Sequence, residues 1–181
     1  MPPPKSPSWS DVKAHLTQFD RAGLIGLVHD LYTASKSNQT FLQARFALGE
    51  DVLKPYKATI ERWLWPEAFT SQNYSVAKAK KAIADYRKAT GQPQELAELT
   101  VFYCERAVGF CDDIGLQDEG YYAALERMFA QALDMIAKLP DEQHAALLQR
   151  LDEVRRISHN FGYGVGDELD ALLYRHTRIN P

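Results

Sequence analysis

The sequence predicts an all-α fold: an irregular bundle of about eight helices, with a short α-solenoid as the second arrangement. Three observations predict it. Apolar residues recur at helical spacing along almost the whole chain. Residues that start and stop helices punctuate that pattern, with short connections between. No stretch shows the sustained alternation with β-branched residues that marks a strand.

The elements follow in order. Pro2, Pro3, Pro4 and Pro7 make residues 1–9 a poor helix, expected to be a flexible tail ahead of a single helical domain over 10–181. Asp20 is the N-cap of a helix with Leu24, Ile25, Val28, Leu31 and Tyr32 on one face. The next helix starts after Ser37 or Asn38 and puts Phe41, Leu42, Arg45 and Phe46 on one side. Arg45 there either snorkels past its apolar neighbours or makes a buried pair with an acid such as Asp30. "DVLKPYKATIERWLW" is a helix with Pro55 in its first turn, where a missing N–H matters least, closed by Pro66. After a loop over 66–75, Ser75 caps "VAKAKKAIADYRKAT", which Gly91 ends. Pro93 opens a long helix over about 94–111. Asp118 caps another that runs to about Leu139, and Pro140 breaks the chain. "DEQHAALLQRLDEVRRIS" follows, and a last short helix covers Asp167 to about His176.

With 181 residues, 45% of them hydrophobic and 25% charged, the chain has ordinary globular composition. At that length roughly 70% of the unfolded surface is buried on folding, enough for a core without staples. Cys104 and Cys111 lie on one predicted helix, about 10 Å apart along its axis, too far for a disulfide between them. Free thiols fit a reducing compartment. "MPPPKSPSWS" has no apolar core for a signal peptide, and no apolar run approaches the ~20 residues of a membrane span. A cytoplasmic protein is expected. Charge is uneven: residues 1–90 hold 13 Lys and Arg against 8 acids, and 91–181 hold 8 against 16. Such polarity marks a partner surface, head-to-tail self-association, or simply an uneven solvated surface.

The stretches "LIGLVHDLYTASKSNQTFLQARF", "YRKATGQPQELAELTVFYCERAVGFCDDIG" and "SHNFGYGVGDELD" together resemble a bacterial domain family of unknown function. The resemblance covers about residues 16 to 173. It implies an all-helical soluble protein, and no activity, ligand or catalytic residue.

"SHNFGYGVGDELD" also raises a chemical question. Gly162, Gly164 and Gly166 follow a helix, not a strand, and lack the G-x-G-x-x-G spacing of a dinucleotide loop. Asp167 and Glu168 already complement the positive end of the following helix and would repel a phosphate. A helix–helix joint is expected, with Gly162 left-handed. His159 in the last turn caps its helix, or donates to a carboxylate of "CDDIGLQDEG". The second role brings His159, Asn160 and Tyr163 into one cleft with Asp112, Asp113 and Asp118, packing 158–170 near 111–120.

On the 94–111 helix, Leu96, Leu99, Tyr103, Ala107 and Phe110 share one face, widened by Ala97, Val101 and Val108, so this helix is central. Glu98, Glu105 and Asp112 stripe the remaining side, as a solvated face or as an acidic groove for a cation. Metal sites and cofactors are not expected: there is no C-x-x-C, and Asp141 with His144 lacks a second Asp/Glu-x-x-His pair. G-x-S-x-G, G-x-x-x-x-G-K-[ST] and H-E-x-x-H are missing. Lys54, Lys57, Arg62, Lys78, Lys81, Arg87 and Lys88 near Trp63, Trp65 and Tyr74 suggest single-stranded nucleic acid, but a pI near 6.0 and the lack of a recognised motif weigh against it. Trp63 and Trp65 are then core or interface anchors. The expectation is a non-enzymatic module that binds another protein or a second copy of itself. The alternatives are nucleic-acid binding through the basic half, and an enzyme with a His/acid cleft at His159.

Overall fold

The computed structural model describes residues 6–66 and 73–179, and side chains as far as His176. The proline tail falls partly, and the loop over 66–75 largely, outside the described residues. Among the described residues there are nine α-helices and no strand. The chain divides between Gln43 and Ala44 into two compact units.

The first unit holds α1 (Trp9–Leu16), α2 (Arg21–Ala34) and most of α3 (Lys36–Arg45). Helix α1 begins at Trp9, inside the expected tail, because Ser8 is a good N-cap: its N–H donates to the Asp11 carboxylate at 2.6 Å. Asp20 caps α2 as expected, its Oδ1 accepting from Gly23 N–H at 2.7 Å. Helix α3 starts earlier than expected, since Ser35 Oγ accepts from Asn38 N–H at 3.2 Å. No residue from 6 to 43 is buried.

The second unit is built around one helix. It contains α4 (Lys54–Leu64), α5 (Val76–Ala89), α6 (Pro93–Ile114), α7 (Glu119–Ile136), a 3-10 turn at Asp141–Gln143, α8 (His144–Ser158) and α9 (Val165–Ile179). Helix α6 packs against α4, α5, α7 and α8. All four lie one or two helices away in the chain, a pattern common to an irregular bundle and to a short stack of helix pairs. The eight apolar positions predicted to face inward on α6 are all buried. Leu99 is among the fully buried side chains, and truncating such a leucine to alanine typically costs ~2–5 kcal/mol. Tyr121 also lies in this core, and its hydroxyl donates to the Leu64 carbonyl at 3.1 Å, so its polar tip is not stranded.

Helix ends mostly follow local chemistry. Ser75 and Asp118 cap α5 and α7, and Gly91 is left-handed at φ +67. Helix α6 runs to Ile114, three residues past the expected end, and stops at the left-handed Gly115 (φ +62). Helix α9 begins at Val165, before the expected Asp167. Arg45 is exposed, and its Nη2 donates to the Lys88 carbonyl at 2.8 Å, close to the end of α5. The buried pairing with Asp30 is therefore corrected: this arginine binds a helix C-terminus, where carbonyls lack intrahelical partners and cations are favoured.

Candidate functional site

The corner between α8 and α9 does come together with the end of α6, through Asn160 and Asp112, with a different partner for His159. His159 Nε2 lies 3.2 Å from Asp170 Oδ2, one helical turn into α9. Its expected partner among Asp112, Asp113 and Asp118 is corrected accordingly. Asn160 makes that reach instead, its Nδ2 donating to Asp112 Oδ1 at 3.0 Å. Phe161 stacks on Tyr122 at 5.8 Å, and Tyr163 tilts against the same ring at 5.8 Å. Asp113 is exposed.

Backbone geometry explains the glycines. The left-handed residues are Tyr163 (φ +61) and Gly164 (φ +70), not Gly162. Gly166 has a different reason: a Cβ there would sit 2.5 Å from His159 Nδ1, so the imidazole lies directly over it. Asp170 is shared. Arg155 Nη1 donates to its Oδ1 at 2.6 Å, and Arg155 Nε to Asp152 at 2.8 Å. The guanidinium first, and His159 after it, hold the Asp170 carboxyl below the usual carboxylate range. His159, Asp167 and Asp170 bring possible ligand atoms within 4.8 Å of one another, a grouping the sequence reading passed over because eleven residues separate its ends. A cation there would meet Arg155 on one of its three ligands.

Asp118 serves the fold. Its Oδ1 caps α7 through Tyr121 N–H at 2.8 Å, and Tyr74 donates to its Oδ2 at 2.5 Å. That bond holds Asp118 below its ordinary pKa and pushes the Tyr74 phenol up to about 12. Tyr74 also sits edge-on to Tyr121 and Phe110.

On the acidic stripe of α6, Asp112 is exposed, but Glu98 and Glu105 form neither a solvated face nor an open cation groove. Arg150 of α8 grips Glu105 with two parallel bonds, Nε at 2.7 Å and Nη2 at 2.8 Å, and donates Nη1 to Glu98 at 2.5 Å. Lys57 of α4 adds a second cation to Glu98 at 2.6 Å. Burial raises the Glu98 pKa, but the bonds from Arg150 and Lys57 outweigh it and leave it lowered. The stripe is the ionic seam that joins α6 to α4 and α8.

The basic and aromatic residues are largely engaged with each other. Lys78 Nζ lies 3.7 Å over the Trp63 ring and Arg62 5.5 Å from it. Arg106 lies 5.4 Å over Trp65 and also pairs with Glu61. Both tryptophans are half-buried. Trp65 packs so closely on α6 that a Cβ at Gly109 would be 2.5 Å from its ring. Beside Trp65, an open groove of about 920 Å³ runs between α6 and α8. Its charged side chains are paired within the chain: Glu105 with Arg150, Asp152 with Arg155, Glu153 with Arg156 and Arg106 with Glu61.

Both thiols are free and buried. Burial pushes Cys111 up to about 12 and raises Cys104 as well, so neither is a thiolate at neutral pH. His144 is held by the main chain, donating Nε2–H to the Leu139 carbonyl at 2.8 Å.

What the sequence reading missed is the surface of the first unit. Leu24 (39%), Ile25 (61%), Val28 (46%) and Leu31 (51%) of α2 are exposed, as are Trp9, Val12 and Phe19 in and after α1. Their helical periodicity was visible in the sequence. Periodicity shows that a face needs cover, but not what covers it. Compared with protein-family models, curated proteins and solved structures, the chain matches none. Among the described residues, no helix is long and apolar enough to cross a membrane.

Proposed function

We propose that this protein is a non-enzymatic helical interaction module that docks a protein partner through the apolar face of α1 and α2. One observation carries the reading: no residue from 6 to 43 is buried, yet α2 turns four large aliphatic side chains to solvent. An amphipathic helix is stabilised chiefly by packing its apolar face, and a 14-residue helix alone in water is marginal. On α2 alone the four exposed aliphatic side chains leave roughly 300 Å² of apolar surface, the size of the largest, often functional, patch on a typical monomer. The second unit supports the same reading from the other side, because its charged clusters are consumed in holding helices together. A reducing, cytoplasmic setting fits the two free thiols.

The test is a photoreactive residue in place of Ile25, irradiated in cells that make the protein. Cross-linking to a protein chain is expected at Ile25, with none at the exposed control position Glu119 of α7. Equal capture at both positions, or none at Ile25, refutes the reading.

A further inference from the structure

We propose that the partner on this face is a second copy of the chain, bound through antiparallel α2 helices about a two-fold axis between Leu27 and Val28. This rests on the docking reading above and names its occupant. At 100° per residue, Leu24, Leu27, Val28 and Leu31 fall within an arc of about 100°, and Ile25 and Tyr32 widen it to about 160°. A two-fold interface places residue i on residue j and j on i. About the point between Leu27 and Val28, Leu24 meets Leu31 and Leu27 meets Val28, so the face is its own complement.

Charge supports the same pairing. The last turn of α2 holds no basic residue, and its carbonyl end is the negative pole of the helix. Arg21 projects from the apolar side of α2, between the positions of Val28 and Tyr32. The antiparallel two-fold sets Arg21 of each copy opposite Ala34 of the other, at that negative pole. Asn38 Nδ2 already donates to the Leu31 carbonyl at 2.6 Å, so a side-chain donor serves this same end of the helix. The opposite face of α2 carries Ala22, Gly26, His29, Asp30 and Thr33, with neither Lys nor Arg. A helix that lies on an anionic lipid surface needs a basic polar face, so an apolar protein surface is the better match.

The four exposed aliphatic side chains of α2 supply roughly 300 Å², below the ~800 Å² per partner of a standard stable interface, so the pairing is a concentration-dependent one. Near-neutral charge matters too: residues 9–34 hold two basic and three acidic residues, so two identical faces meet with little repulsion.

Native mass spectrometry and light scattering on the full chain test this. A species of twice the 20.5 kDa chain mass is expected, with Val28→Glu shifting it to monomer while the helical circular dichroism is retained. Arg21→Glu is expected to raise the dimer Kd by about tenfold. The native thiols are buried, so single introduced cysteines report geometry. Leu24→Cys mixed with Leu31→Cys should give a disulfide dimer on oxidation, and neither variant alone should. Self-linking of Leu24→Cys means parallel pairing and overturns the proposal, as does a monomeric wild-type chain. If the chain is monomeric but the photoreactive residue at Ile25 captures another protein, self-pairing fails and the docking reading stands. If it captures nothing, both fail.

Discussion

Replacing Arg150 by methionine should lower the stability of the second unit by about 2 kcal/mol. The variant keeps an apolar stem for packing and removes the charge. Glu98 and Glu105 then lose three hydrogen bonds from one guanidinium. Removing one partner of a fully buried pair costs roughly 3–5 kcal/mol, and an exposed pair contributes about 0–1. Here the side chains are 32% (Arg150), 22% (Glu98) and 24% (Glu105) exposed, between those limits, and Lys57 still serves Glu98. Urea unfolding followed by circular dichroism reads the loss directly, with a midpoint shift at constant slope. The pH dependence has a defined sign. The Glu98 carboxyl is lowered in the fold, so its stabilisation is present above 4.5 and is lost as pH falls through the folded value. The gap between wild type and Arg150→Met should therefore narrow below about pH 4.5. Combining Arg150→Met with Glu105→Gln should recover part of the loss, because Glu105 is then no longer an unpaired charge while Lys57 still serves Glu98. A loss under about 0.5 kcal/mol, or a double variant no better than the single, would refute the seam's role.

Three further outcomes follow from the geometry. Gly164→Ala should destabilise by about 1 kcal/mol, since φ is +70, whereas Gly162→Ala should be near neutral, its new Cβ 3.4 Å from Gln117 Oε1 and its φ outside the left-handed region; thermal melts of the two variants check the contrast. Gly109→Ala should push the Trp65 ring off α6 at a cost of about 1–3 kcal/mol and change tryptophan fluorescence. Tyr74→Phe should cost about 1 kcal/mol at neutral pH; because the Tyr74 phenol is raised from 10.0 to about 12, the wild-type advantage is full below pH 10 and fades between those values, which melts across alkaline pH would show.

The fold was legible where local chemistry decides. Asp20, Ser75 and Asp118 cap helices because their short side chains reach free N–H groups, and Pro55 and Pro93 stand at helix starts for want of an N–H of their own. The eight inward positions of α6 followed from the width of its apolar arc. Long-range pairing was not legible. The choice of His159 for Asp170, and of Asn160 for Asp112, depends on how α9 turns at Tyr163 and Gly164, and spacing alone does not encode that turn. The Glu98–Glu105 stripe looked solvated because its cations, Arg150 and Lys57, lie 41 or more residues away in the chain. The apolar face of α2 was visible as a pattern, and only coordinates show four of its side chains exposed.

Hydrogen exchange on α2 tests that last point most directly. A marginal helix with no buried residue exchanges quickly unless a partner holds it. The account predicts that amides of residues 21–34 gain protection as protein concentration rises, and lose it in Val28→Glu, while those of α6 stay protected throughout. Protection of 21–34 that is the same at every concentration and survives Val28→Glu would contradict it.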